Sequence, residues 1–497
     1  MSEIVRSLVP ARMDRLPWAR FHTRVVIALG AAWVLDGLEI TIASLVGPVL
    51  QRQDTLHLTS AEVGLAATIY LIGEVVGSLY FGFLSDRLGR RKLFLLTLGI
   101  YLAASALSAF SPNLWVFLIL RFVAGTGIGG EYAAVNSAID ELIPARYRGH
   151  TDLAVNGTYW LGAIIGTAGT YILLNPDFLP ANIGWRIGFL IGPVIGLALW
   201  QLRRHIPESP RWQLTHGHAA AAEETVAQIE AEVERETGKP LPPVDKSKAI
   251  EVRPEKGLPL IVVARTLFRT YPTRSLVAVS LMTTQSFLYN AIFFSSSLVL
   301  THFFGVSAST APAYFFFFAI GNLLGPLLLG RFFDTVGRKK MIAGTYISSG
   351  VLLAISGMMF QAGLLTALTQ TLLWSAIFFI ASAAASSAYL TVSEIFPIEM
   401  RAQAISIFFA IGQLVGAMGP TIFGSLIGDQ EHPATTGLFI GYLVGACAMI
   451  AGGLIEAKFG INAERQSLED IAEPLTSVRK AAGKLATRMS PKDPPLP

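Results

Sequence analysis

Twelve long apolar segments alternate along this chain with short charged connections, and two of the connecting phrases occur twice. Gly82, Asp86, Gly89 and the cluster Arg90-Arg91-Lys92 are echoed by Gly330, Asp334, Gly337 and Arg338-Lys339-Lys340. Glu141-x-x-Pro144-x-x-x-Arg148 is echoed by Glu394-x-x-Pro397-x-x-x-Arg401. The phrases follow one another in the same order in each half. Two similar helical bundles joined in the middle produce this pattern, and parallel repeats of that kind place a substrate path at their interface.

The apolar segments lie near 24–49, 62–84, 93–110, 114–139, 151–174, 185–203, 274–300, 311–330, 341–361, 366–390, 402–427 and 434–456. A spanning helix needs about 20 apolar residues. Barrel strands would be shorter and would alternate in polarity. Helices are expected because lipid offers no partner to unpaired backbone groups. With 52% hydrophobic and only 14% charged residues, the chain cannot hide its apolar surface in one water-soluble core.

Basic residues set the orientation. Arg6, Arg12, Arg15, Arg20 and Arg24 precede the first segment, and Arg87, Arg90, Arg91 and Lys92 follow the second. Arg146 and Arg148 follow the fourth, and Arg203, Arg204 and Arg211 the sixth. Arg338, Lys339 and Lys340 follow the eighth and Arg401 the tenth, whereas the alternate connections carry almost none, Arg52 being the main exception. The positive-inside rule then places both termini in the cytoplasm of a cell inner membrane. The basic start does not read as a cleavable signal peptide. The expected divisions are a cytoplasmic segment 1–23, a six-helix bundle 24–204, a cytoplasmic linker 205–272, a second bundle 273–458 and a tail 459–497. Within the linker, 219–236 reads as an amphipathic helix with Val226, Ile229 and Val233 on one stripe. The linker is expected to be a solvated connector with surface helices rather than a separate functional domain.

Several function classes fall away. Cys447 is the single cysteine, so no intrachain disulfide is expected, and no Cys/His spacing suggests a metal. The net charge of +4 is distributed by topology rather than as a stripe for nucleic acid. No nucleotide-binding glycine motif or nucleophile elbow appears, so neither an enzyme nor a cofactor is expected.

Ionisable groups at bilayer depth usually face a cavity or a partner. Asp36 and Glu39 lie three residues apart on the first segment and so near one helical face. Glu74 is on the second segment, and Arg121 and Glu131 are on the fourth. A carboxyl balanced between burial and a nearby guanidinium can take up and release a proton. Glu39, then Asp36, with Arg121, are therefore the proton-coupling candidates; a permanent structural ion pair is the alternative. Arg121 could also attract a substrate carboxylate. Polar and aromatic residues within the segments supply the remaining substrate candidates: Asn156, Tyr159 and Trp160, then Gln285, Tyr289 and Asn290, then Trp374 and Gln413. Each could equally serve interhelical packing. Asp86, Arg90, Glu131, Glu141, Arg148, Asp334, Arg338, Glu394 and Arg401 are the gating candidates, the loop phrases among them being able to bridge to a neighbouring helix end.

With these motifs the chain resembles the major facilitator superfamily over nearly all its length. The phrases at 82–92 and 330–340 resemble the family's paired loop motif. Arg121-x-x-x-Gly125-x-Gly127-x-Gly129 resembles its span-four motif associated with proton coupling. Pro207-Glu208-Ser209-Pro210-Arg211-Trp212 is similar to the sugar-porter signature after span six. The resemblance implies an all-α membrane protein with twelve transmembrane helices in two pseudo-symmetric six-helix bundles, a central cavity and alternating access. Gln285 to Phe294 partly resembles the sugar-binding stretch of sugar porters, and Asp36-Gly37-Leu38-Glu39 resembles the Asp-Gly-x-Asp motif of aromatic-acid/proton symporters. The expected function is a proton-coupled symporter importing a small polar metabolite, an organic or aromatic acid, as a monomer in the lipid bilayer. A sugar or polyol porter is the alternative within the class, and a non-transporting nutrient sensor the alternative outside it.

Overall fold

A computed structural model describes residues 5–50, 52–58, 60–173, 179–203, 207–252, 258–306, 311–429, 432–433, 435–473 and 475. The first half contains a short helix α1 (Val9–Asp14) and then six long helices, α2 (Arg20–Leu50), α3 (Ser60–Leu88), α4 (Arg90–Ser108), α5 (Leu114–Leu142), α6 (Arg148–Leu173) and α7 (Ala181–Arg203). The linker forms α8 (Pro210–Thr215), α9 (Ala219–Thr237) and α10 (Leu260–Thr270). The second half contains α11 (Pro272–Phe304), α12 (Ala311–Thr335), α13 (Arg338–Gln361), α14 (Ala367–Ile395), α15 (Arg401–Gly416) continued by α16 (Gly419–Ile427), and α17 (Thr435–Phe459), with a short α18 (Leu468–Ile471) in the tail. Among the described residues, ten helical stretches are long and apolar enough to cross a membrane, and α6 and α11 complete the twelve.

The helix pairing shows the repeat. In the first half α3 packs on α5, α2 on α6 and α7, and α4 on α5 and α7. In the second half α12 packs on α14, α11 on α15 and α17, and α13 on α14 and α17, the same scheme shifted by one half. The halves meet where α6 lies on α12 and α15 on α3.

Glycines allow the tightest pairings. A Cβ at Gly129 would collide with the carbonyl of Glu74, and one at Gly73 with that of Phe122, so α3 and α5 touch backbone to backbone. The second half repeats this, with Gly321 and Gly325 of α12 against the carbonyls of Ser375 and Phe379 of α14. The segment expected as one span over 402–427 is interrupted between Gly416 and Gly419. Pro420 has no N–H to donate to the preceding turn. At the break Gly416 lies against Ser286 and Asn290 of α11.

The linker carries the expected amphipathic surface helix, α9, and the N-terminal segment docks on it. The stripe Ala222, Val226, Ile229 and Val233 of α9 is buried, and its acidic face is clamped by the N-terminal segment. Arg12 bridges Glu223 and Glu230, each at 2.5 Å, Arg15 reaches Glu230 at 2.7 Å, and Arg24 pairs with Glu232. A two-stranded ribbon, β1 (Val5–Ser7) on β2 (Ile250–Val252), ties the same segment to the end of the linker.

Burial alone would push the Glu230 carboxyl up, but hydrogen bonds and charge from Arg12 and Arg15 outweigh it and hold the group below its ordinary 4.5. A depressed carboxyl contributes stability above its unfolded value and loses it as pH falls through the folded one. Protection of residues 5–14 against hydrogen exchange, taken relative to the intrinsic rate at each pH, is therefore expected to be high at neutral pH and to fall as pH drops below 4.5. E230Q should show the lowered protection already at pH 7, and high, pH-independent protection in the variant would remove the clamp.

Candidate functional site

A cavity of about 180 Å³ lies between the two bundles. Trp33 and Ile40 of α2, Leu71 and Glu74 of α3, Tyr132 of α5, and Asn156, Tyr159 and Trp160 of α6 form one wall. Gln285, Ser286, Tyr289 and Asn290 of α11, Ser382, Ala385, Ser386 and Tyr389 of α14, and Gln413 of α15 form the other. Seven sequence candidates therefore meet in one place: Asn156, Tyr159, Trp160, Gln285, Tyr289, Asn290 and Gln413.

Second contacts orient these side chains. Tyr289 donates its hydroxyl to Asn322 Oδ1 at 2.6 Å, and Asn322 donates to the Phe318 carbonyl at 2.9 Å. The Trp160 ring crosses to the other half, 6.0 Å from Tyr289 and 5.5 Å from Phe318. Asn156 donates to Asn136 Oδ1 at 3.2 Å and to the Asp152 carbonyl at 2.8 Å.

Two expectations are corrected. Trp374 does not line the cavity: it is buried near the start of α14, among core side chains of the second bundle. Arg121 does not line it either. Its Nη1 donates to Glu39 Oε1 at 2.7 Å and its Nη2 to Ser108 Oγ at 3.1 Å, with the guanidinium 4.6 Å from the Phe189 ring centre. Glu39 also accepts from Tyr101 at 3.2 Å and has Ser105 Oγ at 2.9 and 2.8 Å from its two oxygens. The pair is 1–2% exposed and sits inside the first bundle, among α2, α4, α5 and α7, beside the cavity rather than in it.

Asp36 does not share Arg121. It accepts from Tyr132 at 2.5 Å and from Tyr70 at 3.4 Å. Tyr132 also lines the cavity, so its hydroxyl joins Asp36 to the cavity wall. Glu131, expected at the gate, lies by Asp36 instead, around a small void shared with Trp33 and Val135. It is ten residues, about 15 Å along α5, from Glu141.

The end carrying the basic loops is closed in two layers. The inner layer is aromatic: Trp33 packs 4.6 Å from Tyr132 and 5.7 Å from Tyr389, and Tyr132 packs 4.5 Å from Phe409 (ring centres). Sequence reasoning missed Trp33, Tyr132 and Tyr389 as wall residues. The one available signal was Tyr132 following the glycine run of the fourth segment, next to a buried acid.

The outer layer is ionic and explains the repeated phrases. Gly89 and Gly337 adopt φ of 94° and 118°, a region that disfavours side chains, immediately before α4 and α13. That turn sends Arg90 inward to Glu141 at 2.8 Å and Arg338 inward to Glu394 at 3.0 Å. Arg338 also holds Asp334 at 2.6 Å. Three contacts then join the halves. Arg148 reaches Glu394 at 3.4 Å, Arg401 reaches Glu141 at 3.6 Å, and Asp334 accepts the backbone N–H groups of Gly149 and His150 at 3.2 and 2.7 Å. The last places a carboxylate on the positive N-terminal end of α6 from the opposite bundle. The side chain of Asp86, its counterpart, lies outside the described residues.

The linker and tail reinforce this layer. Glu208 accepts from the N–H groups of Arg90 and Arg91 at 2.8 and 3.2 Å, while Glu464 accepts from Arg338 N–H at 3.3 Å. Burial pushes the Glu208 carboxyl up against the pull of those donors. Arg211 joins Glu469 of the tail at 2.5 Å and Asp14 of the N-terminal segment at 3.0 Å.

The family model described as Sugar (and other) transporter matches residues 39–473. The chain belongs to that family. As a sugar (and other) transporter it is a member of the major facilitator superfamily and a multi-pass membrane protein, and its relatives are transporters rather than enzymes. The niacin transporter NiaP of Acinetobacter baylyi is 28% identical over 414 residues, covering 83% of this chain and 89% of the relative. The inner membrane metabolite transport protein YdjE of Escherichia coli is 25% identical over 481 residues, covering 94% and 98%. Among solved structures, the proton:xylose symporter XylE bound to 6-bromo-6-deoxy-D-glucose superposes with a TM-score of 0.73 at 20% identity, covering 91% of this chain and 98% of that one. The inward-open form of XylE from E. coli superposes with 0.58.

Proposed function

We propose that this chain is a proton-coupled symporter that brings a small polar metabolite into the cell by alternating access. The basic end and both termini face the cytoplasm of an inner membrane, and a single copy is the working unit. The observation that carries this reading is a buried carboxylate–guanidinium pair, Glu39–Arg121, lying directly behind the wall of a polar cavity whose basic end is closed. Glu39 neighbours Ile40, which faces the cavity, so a change in its charge state acts on the helix that contacts the substrate.

The chemistry of the wall bears on the substrate. Amides and hydroxyls donate and accept hydrogen bonds, and aromatic faces suit a flat or ring-shaped molecule. Among the described lining residues there is no Arg, Lys or His. Since Arg121 is engaged elsewhere, an organic anion loses the partner expected for it. A ring-shaped metabolite without net negative charge fits best, such as a sugar or polyol. An aromatic ring compound is the second reading, favoured by Trp33, Tyr132, Trp160 and Tyr389 in the wall and by the similarity to a niacin transporter.

Uptake of sugars, aromatic acids and other organic acids into proteoliposomes, each with and without an imposed proton gradient, tests the proposal. Accumulation of at least one class is expected to require the gradient. Flux of none of them would favour a membrane sensor that does not transport.

A further inference from the structure

The two halves differ at one buried position in a way that singles out Glu74. Gly82 and Gly330 are 248 residues apart, as are Asp86 and Asp334, and the same offset carries Glu74 of α3 to Asn322 of α12. Asn322 is fully buried and satisfied within its own bundle: its oxygen accepts the Tyr289 hydroxyl and its amide donates to the Phe318 carbonyl. Glu74 is 1% exposed and has no such set of partners. Among the described residues Oε2 accepts one hydrogen bond, from Gln413 Nε2 of the opposite bundle at 3.3 Å, and Oε1 is buried with no hydrogen-bond partner. The side chain lines the central cavity. Its helix is held backbone to backbone against Gly129 of α5, which fixes the Glu74 backbone beside the cavity.

A buried carboxyl with an unmet oxygen is costly unless a proton, a water molecule or a ligand completes it. Among the described lining residues there is no basic side chain to do so, and Trp33, Tyr132, Tyr159 and Tyr389 line the same cavity. A carboxylate beside aromatic faces is the environment that attracts a cationic nitrogen, through a charge-assisted hydrogen bond and through the ring quadrupoles. We propose that Glu74 is the charge-selecting residue of the cavity and binds a protonated nitrogen of the substrate, an ammonium or ring N–H⁺ group, between the two bundles. Gln413 contacts the same carboxyl from the other half, so occupation of Glu74 also reports whether the halves are together. This rests on the reading of the cavity as the substrate site and, among ring-shaped metabolites without net negative charge, selects those that carry a protonated nitrogen over an uncharged sugar or polyol.

The test is an isosteric charge series: benzylamine, benzyl alcohol and benzoate, bound to the full-length protein in nanodiscs and read by Trp fluorescence and thermal shift. Benzylamine is expected to bind about tenfold or more tighter than benzoate. In E74Q its affinity should fall about tenfold while that of benzyl alcohol stays within about twofold. E74D, which keeps the charge, should preserve the order. A merely structural Glu74 would shift all three ligands together, and that result overturns the proposal. So does benzoate binding as tightly as benzylamine, an E74Q variant with unchanged benzylamine affinity, or failure of all three to bind. Because the readout is binding, failure of proton-coupled flux in the uptake screen would count against symport without altering this result.

Discussion

Glu39→Gln is expected to abolish uphill accumulation driven by a proton gradient while leaving exchange of substrate across the membrane intact. Glutamine keeps the size of the side chain and its place beside Tyr101, Ser105 and Arg121, but it cannot take up and release a proton. The pair is almost completely buried, so its two members are strongly interdependent. Arg121→Leu alone leaves Glu39 as an uncompensated charge at the heart of the first bundle and should cost about 3–5 kcal/mol of stability. The double variant E39Q/R121L should recover much of that loss and still fail to accumulate substrate against its gradient. Thermal unfolding of the three variants, set beside pH-driven uptake and counterflow, separates the structural part of the pair from its transport part. Proton-driven accumulation that survives in E39Q would remove Glu39 from the coupling role.

The second large effect concerns the closed basic end. Arg148→Ala removes the cross-bundle pair with Glu394 and leaves the nearby Asp140 without the guanidinium 3.9 Å away. Arg401→Ala does the corresponding damage at Glu141. Glu394 keeps Arg338 and Glu141 keeps Arg90, so each substitution removes a charge-assisted cross-bundle contact of about 1.5–3 kcal/mol, against the roughly 5.5 kcal/mol that moves a two-state equilibrium from 1:99 to 99:1. Either substitution should therefore shift a large share of the population toward the form open at the basic end. The measurable consequence is access to the cavity. With Cys447 replaced by alanine and Ser386→Cys as a reporter in the cavity wall, an impermeant thiol reagent applied from the basic side should react about tenfold or more faster in R148A and R401A. Unchanged labelling would mean that the aromatic layer of Trp33, Tyr132, Tyr389 and Phe409 holds the closure without the ion pairs.

Much of the architecture was legible in order and spacing. Apolar runs mark helices because lipid forces backbone groups to pair within the helix, and the repeated phrases announced a repeated bundle. The second glycine of each phrase was visible only as part of the repeat, and the φ values at Gly89 and Gly337 reveal why other residues do not suit. The amide and aromatic candidates on α6 and α11 were found because polar residues in apolar helices stand out. The serines and Tyr389 of α14 were not singled out, because serine and tyrosine are common at helix contacts. Trp374 misled for a related reason: an aromatic residue in an apolar span fills a core as readily as it walls a cavity.

The charge network divides along the same line. Length, hydropathy and the placement of arginines determined how many spans there are, which loops share a side, and which acids and bases would be available at each level, since these are properties of local sequence. Which acid meets which base was decided by the tertiary structure. Residues three apart on a helix differ by about 60° in direction. That rotation is enough to turn Glu39 toward Arg121 and Asp36 toward Tyr132, and only the packing of α3, α4, α5 and α7 around α2 selects between them.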